Sequence, residues 1–295
     1  MGVSCLAESL CTPGVAIVLA AIVLNIDPVL IHLGPLAIRW YGLMYVVGIV
    51  VGMWAALPYL RARGISEDQV WSILGPCIVT GIIGGRLFYV VQQPLGPFIA
   101  QPWRIIATWE GGMAFYGAIG AVIITLWFVC RREKIPFWTM LDGAALFAAV
   151  GQLFGRVGNL INGDILGAPT TLPWGIVYAN PNSFAPSHTI AYQPAPVYEM
   201  LCNVVLIALL YTLRNRITIP GLLGAIYLLG YAVTQFIVFF LRYSEPIVGF
   251  GLKQAQLTSI VVFVLALGLA AWRVRAAREG GPTVGEHRAT MRGQA

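Results

Sequence analysis

Seven long apolar runs divide this chain, at residues 40–60, 70–91, 112–130, 140–158, 194–213, 221–241 and 255–272. Each is close to the roughly 20 residues that a helix needs to cross a hydrocarbon core. Charged residues are gathered between the runs. The pattern predicts an all-α membrane protein with seven transmembrane helices. A further apolar stretch, residues 15–24, is too short to span and has no positive segment before it, so it does not read as a signal peptide. Residues 1–39 are therefore read as an N-terminal extension that approaches the membrane along its outer face.

The loops orient the bundle, because short cytoplasmic loops collect Lys and Arg. Arg61 and Arg63 follow the first run, and Arg131, Arg132 and Lys134 the third. Arg214 and Arg216 follow the fifth, and Arg273, Arg275 and Arg278 the seventh. The alternate loops hold only Arg104, none in 159–193, and Arg242 with Lys253. This places the N-terminus outside and the C-terminus in the cytoplasm. Residues 40–275 form the transmembrane domain, 159–193 an extracytoplasmic cap loop, and 276–295 a disordered cytoplasmic tail.

Composition agrees. The 295 residues are 58% hydrophobic and 10% charged, against about 25% charged in soluble domains. The net charge of +6 is accounted for by the basic loops, so it does not indicate nucleic acid. Cys5, Cys11, Cys77, Cys130 and Cys202 lie at unrelated spacings and read as small hydrophobes. His32, His188 and His287 are far apart, which argues against a metal centre.

One stretch breaks the apolar pattern. Residues 155–167 pack Arg156, Asn159, Asn162 and Asp164 among glycines. An arginine beside hydrocarbon costs roughly 2.5 kcal/mol or more and usually serves function. The second and fourth runs end on related phrases, Gly81-Ile-Ile-Gly-Gly-Arg86 and Gly151-Gln-Leu-Phe-Gly-Arg156. Both arginines therefore fall at similar outer depth. The bland reading is snorkelling to the headgroups; the functional one is two guanidiniums facing a shared cavity. Tyr41, Glu110, Tyr116, Tyr198, Glu199, Tyr231, Gln235 and Arg242 fall at the same level. Taken singly, the tyrosines suit an aromatic belt and the glutamates a solvated face. Taken together, they suit a polar cavity open to the outer leaflet. Arginines match a phosphate, whose oxygens their planar fork binds bidentately. The residues alone reach an anionic phospholipid as ligand and leave the reaction open.

Residues 155–167 also resemble a signature, Gly-Arg-x-Gly-Asn-Phe-x-Asn-Gly-Glu-x-x-Gly, of the prolipoprotein diacylglyceryl transferase family. Leu160 stands for Phe and Asp164 for Glu. Ile38-Arg-Trp-Tyr-Gly-Leu-Met-Tyr45, Gly84-Gly-Arg86, Trp109-Glu-Gly-Gly-Met113 and Pro196-Val-Tyr-Glu199 agree too. The resemblance covers about residues 27–275. It implies a multi-pass enzyme of the bacterial plasma (inner) membrane, with its site open to the outer leaflet. The implied reaction moves a diacylglyceryl group from phosphatidylglycerol to the lipobox cysteine thiol of a prolipoprotein, giving a thioether and glycerol phosphate. The implied partners are phosphatidylglycerol, the prolipoprotein lipobox peptide and membrane lipids. No cofactor, metal or nucleic acid is implied.

The same resemblance implies roles. Arg156 matches the signature arginine and would clamp the phosphate; Asn159 and Asp164 would order it and the glycerol. Asn162 and Gly167 are signature positions as well. Tyr41, Arg86, Glu110, Tyr198, Glu199 and Tyr231 match cavity positions, and Arg242 is retained. Three positions depart. Tyr116 stands where the family often has a histidine proposed as the thiol's base. Gln235 replaces an arginine, and Phe239 stands where many members carry glutamate. These departures leave a non-catalytic lipid- or lipoprotein-binding paralogue as the alternative, with a transporter built on the same cavity behind it.

Overall fold

The computed structural model describes residues 21–34, 36–108, 112–243 and 247–280. The chain is mostly helical. The long helices are α1 (Trp40–Arg61), α2 (Glu67–Gln92), α4 (Phe115–Arg132), α5 (Phe137–Asn162), α6 (Ala195–Leu213), α7 (Leu222–Val238) and α8 (Gln254–Arg278). A five-residue α3 (Gly96–Ala100) lies between α2 and α4. By length and composition, α1, α2, α5, α6 and α8 suffice to cross a membrane, and α7 is a shorter apolar helix.

These helices fall on the seven apolar runs, with two instructive differences. The third was expected to begin at residue 112, but α4 begins at Phe115. Gly112 holds a positive φ of 79°, and its carbonyl is taken by Arg86, so residues 112–114 stay out of the helix. The sixth was expected to reach residue 241, but α7 stops at Val238. Beyond it the Leu241 carbonyl accepts from Ala168 N–H at 3.0 Å, which draws the chain away from the helix axis.

Small residues set the helix pairs, as they do where lipid supplies no hydrophobic drive between helices. A Cβ on Gly52 of α1 would lie 2.9 Å from the Phe147 carbonyl of α5. A Cβ on Gly84 of α2 would lie 2.6 Å from the Gly117 carbonyl of α4. Two close pairs result, α1 with α5 and α2 with α4; α6 packs on α5, and α7 on α6 and α8. The core runs through Met53, Leu60, Leu146, Leu210 and Leu223.

The mostly helical chain agrees with the expected all-α membrane protein, and short strands add to it. Outside the helices lie β1 (Ile22–Leu24), β2 (Val29–Leu33), β3 (Leu36–Arg39), β4 (Ile176–Tyr178), β5 (Ala191–Tyr192), β6 (Ile247–Gly249) and β7 (Leu252–Lys253). β2 and β3 form an antiparallel hairpin that leads directly into α1, and β6 and β7 another between α7 and α8. β4 is the middle strand of a three-stranded sheet, with β1 parallel on one side and β5 antiparallel on the other. The residues expected as an N-terminal approach thus share a sheet with the cap. Leu166, Ile176, Tyr178, Ala185 and Tyr192 give that cap its own apolar core, joined by Leu24. Val29 N–H and the Asn182 amide both donate to Asp27 and hold its carboxyl below the usual range. Residues 1–20, and most of the expected tail, lie outside the described residues.

Candidate active site

α5 is the spine of the site. Its 26 residues extend about 39 Å, and it runs on past the expected end at residue 158. Asn159 and Asn162 therefore join Arg156 on its last turns and do not lie in a loop. Gly163 ends it with φ 70° and donates its N–H to the Asn159 carbonyl at 2.9 Å. Spacing of three residues puts Arg156, Asn159 and Asn162 along one side of the helix. Arg156 Nη1 donates to Asn159 Oδ1 at 3.1 Å. Asn159 Nδ2 donates to the Asp164 carboxylate at 3.2 and 3.3 Å, and Asn162 Nδ2 donates to it at 3.4 Å. The chain turns back at Gly163, so Asp164 faces the helix it has just left.

Across from this row stands Glu199, in the first turns of α6 and 2% exposed. Its Oε2 lies 2.6 Å from Arg156 Nη2 and accepts from Gln235 Nε2 of α7 at 3.0 Å. Its Oε1 lies 3.3 Å from Arg242 Nη1. A lone buried carboxylate is costly, and this one is paired twice and hydrogen-bonded. The Arg242 guanidinium also sits 4.8 Å over the Phe239 ring. Two arginines share the Glu199 carboxylate, and Asp164 joins the same network through Asn159. Beside it is a cavity of about 10 Å³, lined by Gln152, Asn203, Tyr231 and Thr234 with Arg156, Glu199 and Gln235. That is roughly the room of one water.

The signature loop is tied to two other chain segments by backbone. Gly167 N–H donates to the Gln193 carbonyl, Ala168 N–H to that of Leu241, and Tyr243 N–H to that of Leu166. Gly167 and Arg242 form an antiparallel bridge. A Cβ on Gly167 would lie 2.7 Å from the Gln193 carbonyl and 3.1 Å from that of Leu241. Close approach, not φ, requires the glycine. Gly158 plays a similar part at the start of α1, where a Cβ would meet Tyr41 at 2.9 Å.

The remaining candidates divide. Tyr41 interacts with Asn159 and feels the charge of Asp164, and its hydroxyl is 2.9 Å from that of Tyr45. Tyr198 accepts from Trp174 Nε1 of the cap at 2.8 Å. Tyr231 stacks on Tyr227 and lies within electrostatic reach of Arg156, Glu199, Arg242 and Tyr116. Tyr116 is 43% exposed near the start of α4. Glu110 lies outside the described residues.

Arg86 is the departure. Among the described residues, Arg86 does not line a cavity with Arg156, although its depth suggested one; it points into the loop after its own helix. It donates to the carbonyls of Ile105, Gly112 and Arg104 at 3.0, 2.9 and 2.5 Å. It lines a separate cavity of about 260 Å³ with Tyr89, Gln93, Phe98 and Arg104. Matched sequence phrases do not bring matched direction around the helix, and α2 pairs with α4 rather than with α5. Gln152 and Asn203 were missed, the latter donating to the Ala149 carbonyl at 2.7 Å. Each is an uncharged polar residue inside an apolar run, and only the neighbouring helix reveals its use.

Comparison with known proteins adds the family. A family model described as prolipoprotein diacylglyceryl transferase matches residues 28–272. A phosphatidylglycerol–prolipoprotein diacylglyceryl transferase from Nitratidesulfovibrio vulgaris is 37% identical over 268 residues, covering 87% of this chain and 97% of that relative. Relatives bearing the same name from Solidesulfovibrio magneticus and Cupriavidus metallidurans are 36% and 33% identical, each over 84% of this chain and 94% of their own. With most of both chains aligned and the signature row intact on α5, the chain belongs to the prolipoprotein diacylglyceryl transferase family.

Proposed function

We propose that this protein transfers the diacylglyceryl group of phosphatidylglycerol to the lipobox cysteine of prolipoproteins. The observation that carries the reading is the pair of guanidiniums, Arg156 and Arg242, converging on the single buried carboxylate of Glu199. Two guanidiniums side by side, with little exposure, suit a phosphodiester anion. Arginine can exchange a carboxylate for a phosphate without changing its own protonation.

The reaction divides among these residues. The thiol becomes a thiolate, the nucleophilic form. Its sulfur attacks the carbon of the diacylglycerol moiety that bears the phosphate; the C–S bond forms as that C–O bond breaks. Glycerol phosphate leaves with the electron pair, and Arg156 and Arg242 hold its oxygens. Asn159 and Asp164 fix Arg156 from the signature side and orient the glycerol with Asn162 and Tyr41. Tyr231 and Gln235 wall the phosphate site. Tyr198, tied to Trp174, couples the site to the cap. Tyr116, half in solvent, relays the thiol proton outward. Arg86 supports the loop that leads to Glu110 and α4.

α1, α2, α4, α5, α6, α7 and α8 are the seven spans. Alternation of the basic loops puts the N-terminus outside, the C-terminus in the cytoplasm, and the Arg156 end of α5 at the outer leaflet of the inner membrane. The test uses membranes depleted of any other such transferase, a lipobox peptide and phosphatidylglycerol. A peptide gaining diacylglyceryl mass by a thioether is the expected product. Folded protein that binds the lipid yet makes no thioether would overturn the reading in favour of a non-catalytic paralogue.

A further inference from the structure

Arg242 is carried by the turn that ends α7, and the start of α8 reaches back to that turn. Lys253 Nζ donates to the carbonyl of Phe239 at 2.8 Å and to that of Arg242 itself at 2.5 Å. Gln256, 1% exposed, donates Nε2 to the Phe236 carbonyl at 3.2 Å and accepts from the Lys253 backbone N–H at 3.0 Å. The last carbonyls of a helix lack partners within it, and a cation placed there is favourable. One ammonium thus grips both the residue whose ring lies under the Arg242 guanidinium and the residue that bears it. From the other side the bridge to Gly167 holds the same turn.

We propose that Lys253 is a positioning residue for the phosphate site. It locks residues 239–242 between α8 and the signature loop, and so delivers the Arg242 guanidinium to Glu199 and to the lipid phosphate. Gln235 hydrogen-bonds Glu199 but brings no charge. Arg242 is then the second cation of the site, and the turn that Lys253 holds carries it. Among the described residues, the two hydrogen-bond partners of the Lys253 ammonium are carbonyls, and Glu199 is not one of them. This inference rests on the transferase reading above.

The test compares wild type, Lys253→Met and Lys253→Gln, with KM measured separately for phosphatidylglycerol and for the lipobox peptide. Lys253→Met should raise the lipid KM about tenfold, the scale of one lost charge-assisted hydrogen bond, and leave the peptide KM within about twofold. Lys253→Gln, which keeps a donor without the charge, should fall between. In an Arg242→Lys background, Lys253→Met should add less than about twofold, because its effect passes through the guanidinium. A lipid KM unchanged in both Lys253 variants overturns the proposal, as does a full further loss in the Arg242→Lys background. A loss of kcat with both KM values unmoved would also overturn it. If Lys253→Met does not fold, Lys253→Gln decides by the same criteria. Wild type that makes no thioether at all would instead defeat the transferase reading.

Discussion

α5 meets a buried carboxylate near each of its ends, and the two are satisfied in opposite ways. Near its start, Asp142 is 1% exposed and accepts from the backbone N–H groups of Gly221 and Gly224, at 2.8 and 2.7 Å, and from the Tyr59 hydroxyl at 3.2 Å. It caps the beginning of α7 from a neighbouring helix, where the first N–H groups have no partner of their own. Near the other end, Glu199 is held by the tips of Arg156, Arg242 and Gln235. Backbone donors cannot be lent to a ligand without unravelling a helix. Side-chain donors can turn to a phosphate and back. Burial and an acid are common to both places, so neither marks function. The kind of donor separates a fixture from a site.

Mutation can break or sharpen that contrast. The largest effect expected is from Arg156→Ala, which should lower thioether formation by about a thousandfold or more with folded protein retained, on the scale of lost transition-state donors. A rate near wild type would remove Arg156 from the chemistry. Glu199→Gln and Asp142→Asn form the matched pair. The first should cut turnover about a hundredfold at a nearly unchanged melting temperature in detergent. The second should cost about 2 kcal/mol of stability while turnover per folded molecule stays within about threefold. Reversed outcomes would dissolve the distinction. Gln235→Arg should raise turnover a few-fold if positive charge at the phosphate site is limiting; no change would mean that Arg242 already suffices. Tyr116→Phe should have the smallest effect, a loss of about tenfold or less that grows as pH falls and less thiolate is present. A pH profile superimposable on wild type would exclude the phenol from the proton path.

Much of this was legible in the order of residues. The helices reproduce the seven apolar runs because length and polarity decide helices in such a chain. The 155–167 stretch announced itself because an arginine with two asparagines is out of place after an oily run. What stayed hidden depends on azimuth and on distant partners. Asp142 drew no notice in the sequence, where nothing local says that α7 begins beside it. Lys253 was counted as a loop charge, although it closes a helix end eleven or more positions earlier. Arg86 misled because depth can be read along a helix while direction around it cannot. Ile22–Leu24 passed for part of an apolar run, since a strand of three residues is too short to show alternation.

That short strand has a consequence of its own. Ile22 N–H donates to the Gly175 carbonyl and Ala179 N–H to that of Leu24, so β1 covers what would otherwise be a bare margin of the cap sheet. The region matched to the family begins at residue 28, beyond β1. A chain shortened to start near residue 26 would keep every residue assigned to the reaction and still uncover a row of unsatisfied backbone groups. Such open margins recruit strands from neighbouring molecules. The first three described strand residues would then guard solubility at the membrane surface, and their loss would appear as self-association before it appeared as lost turnover.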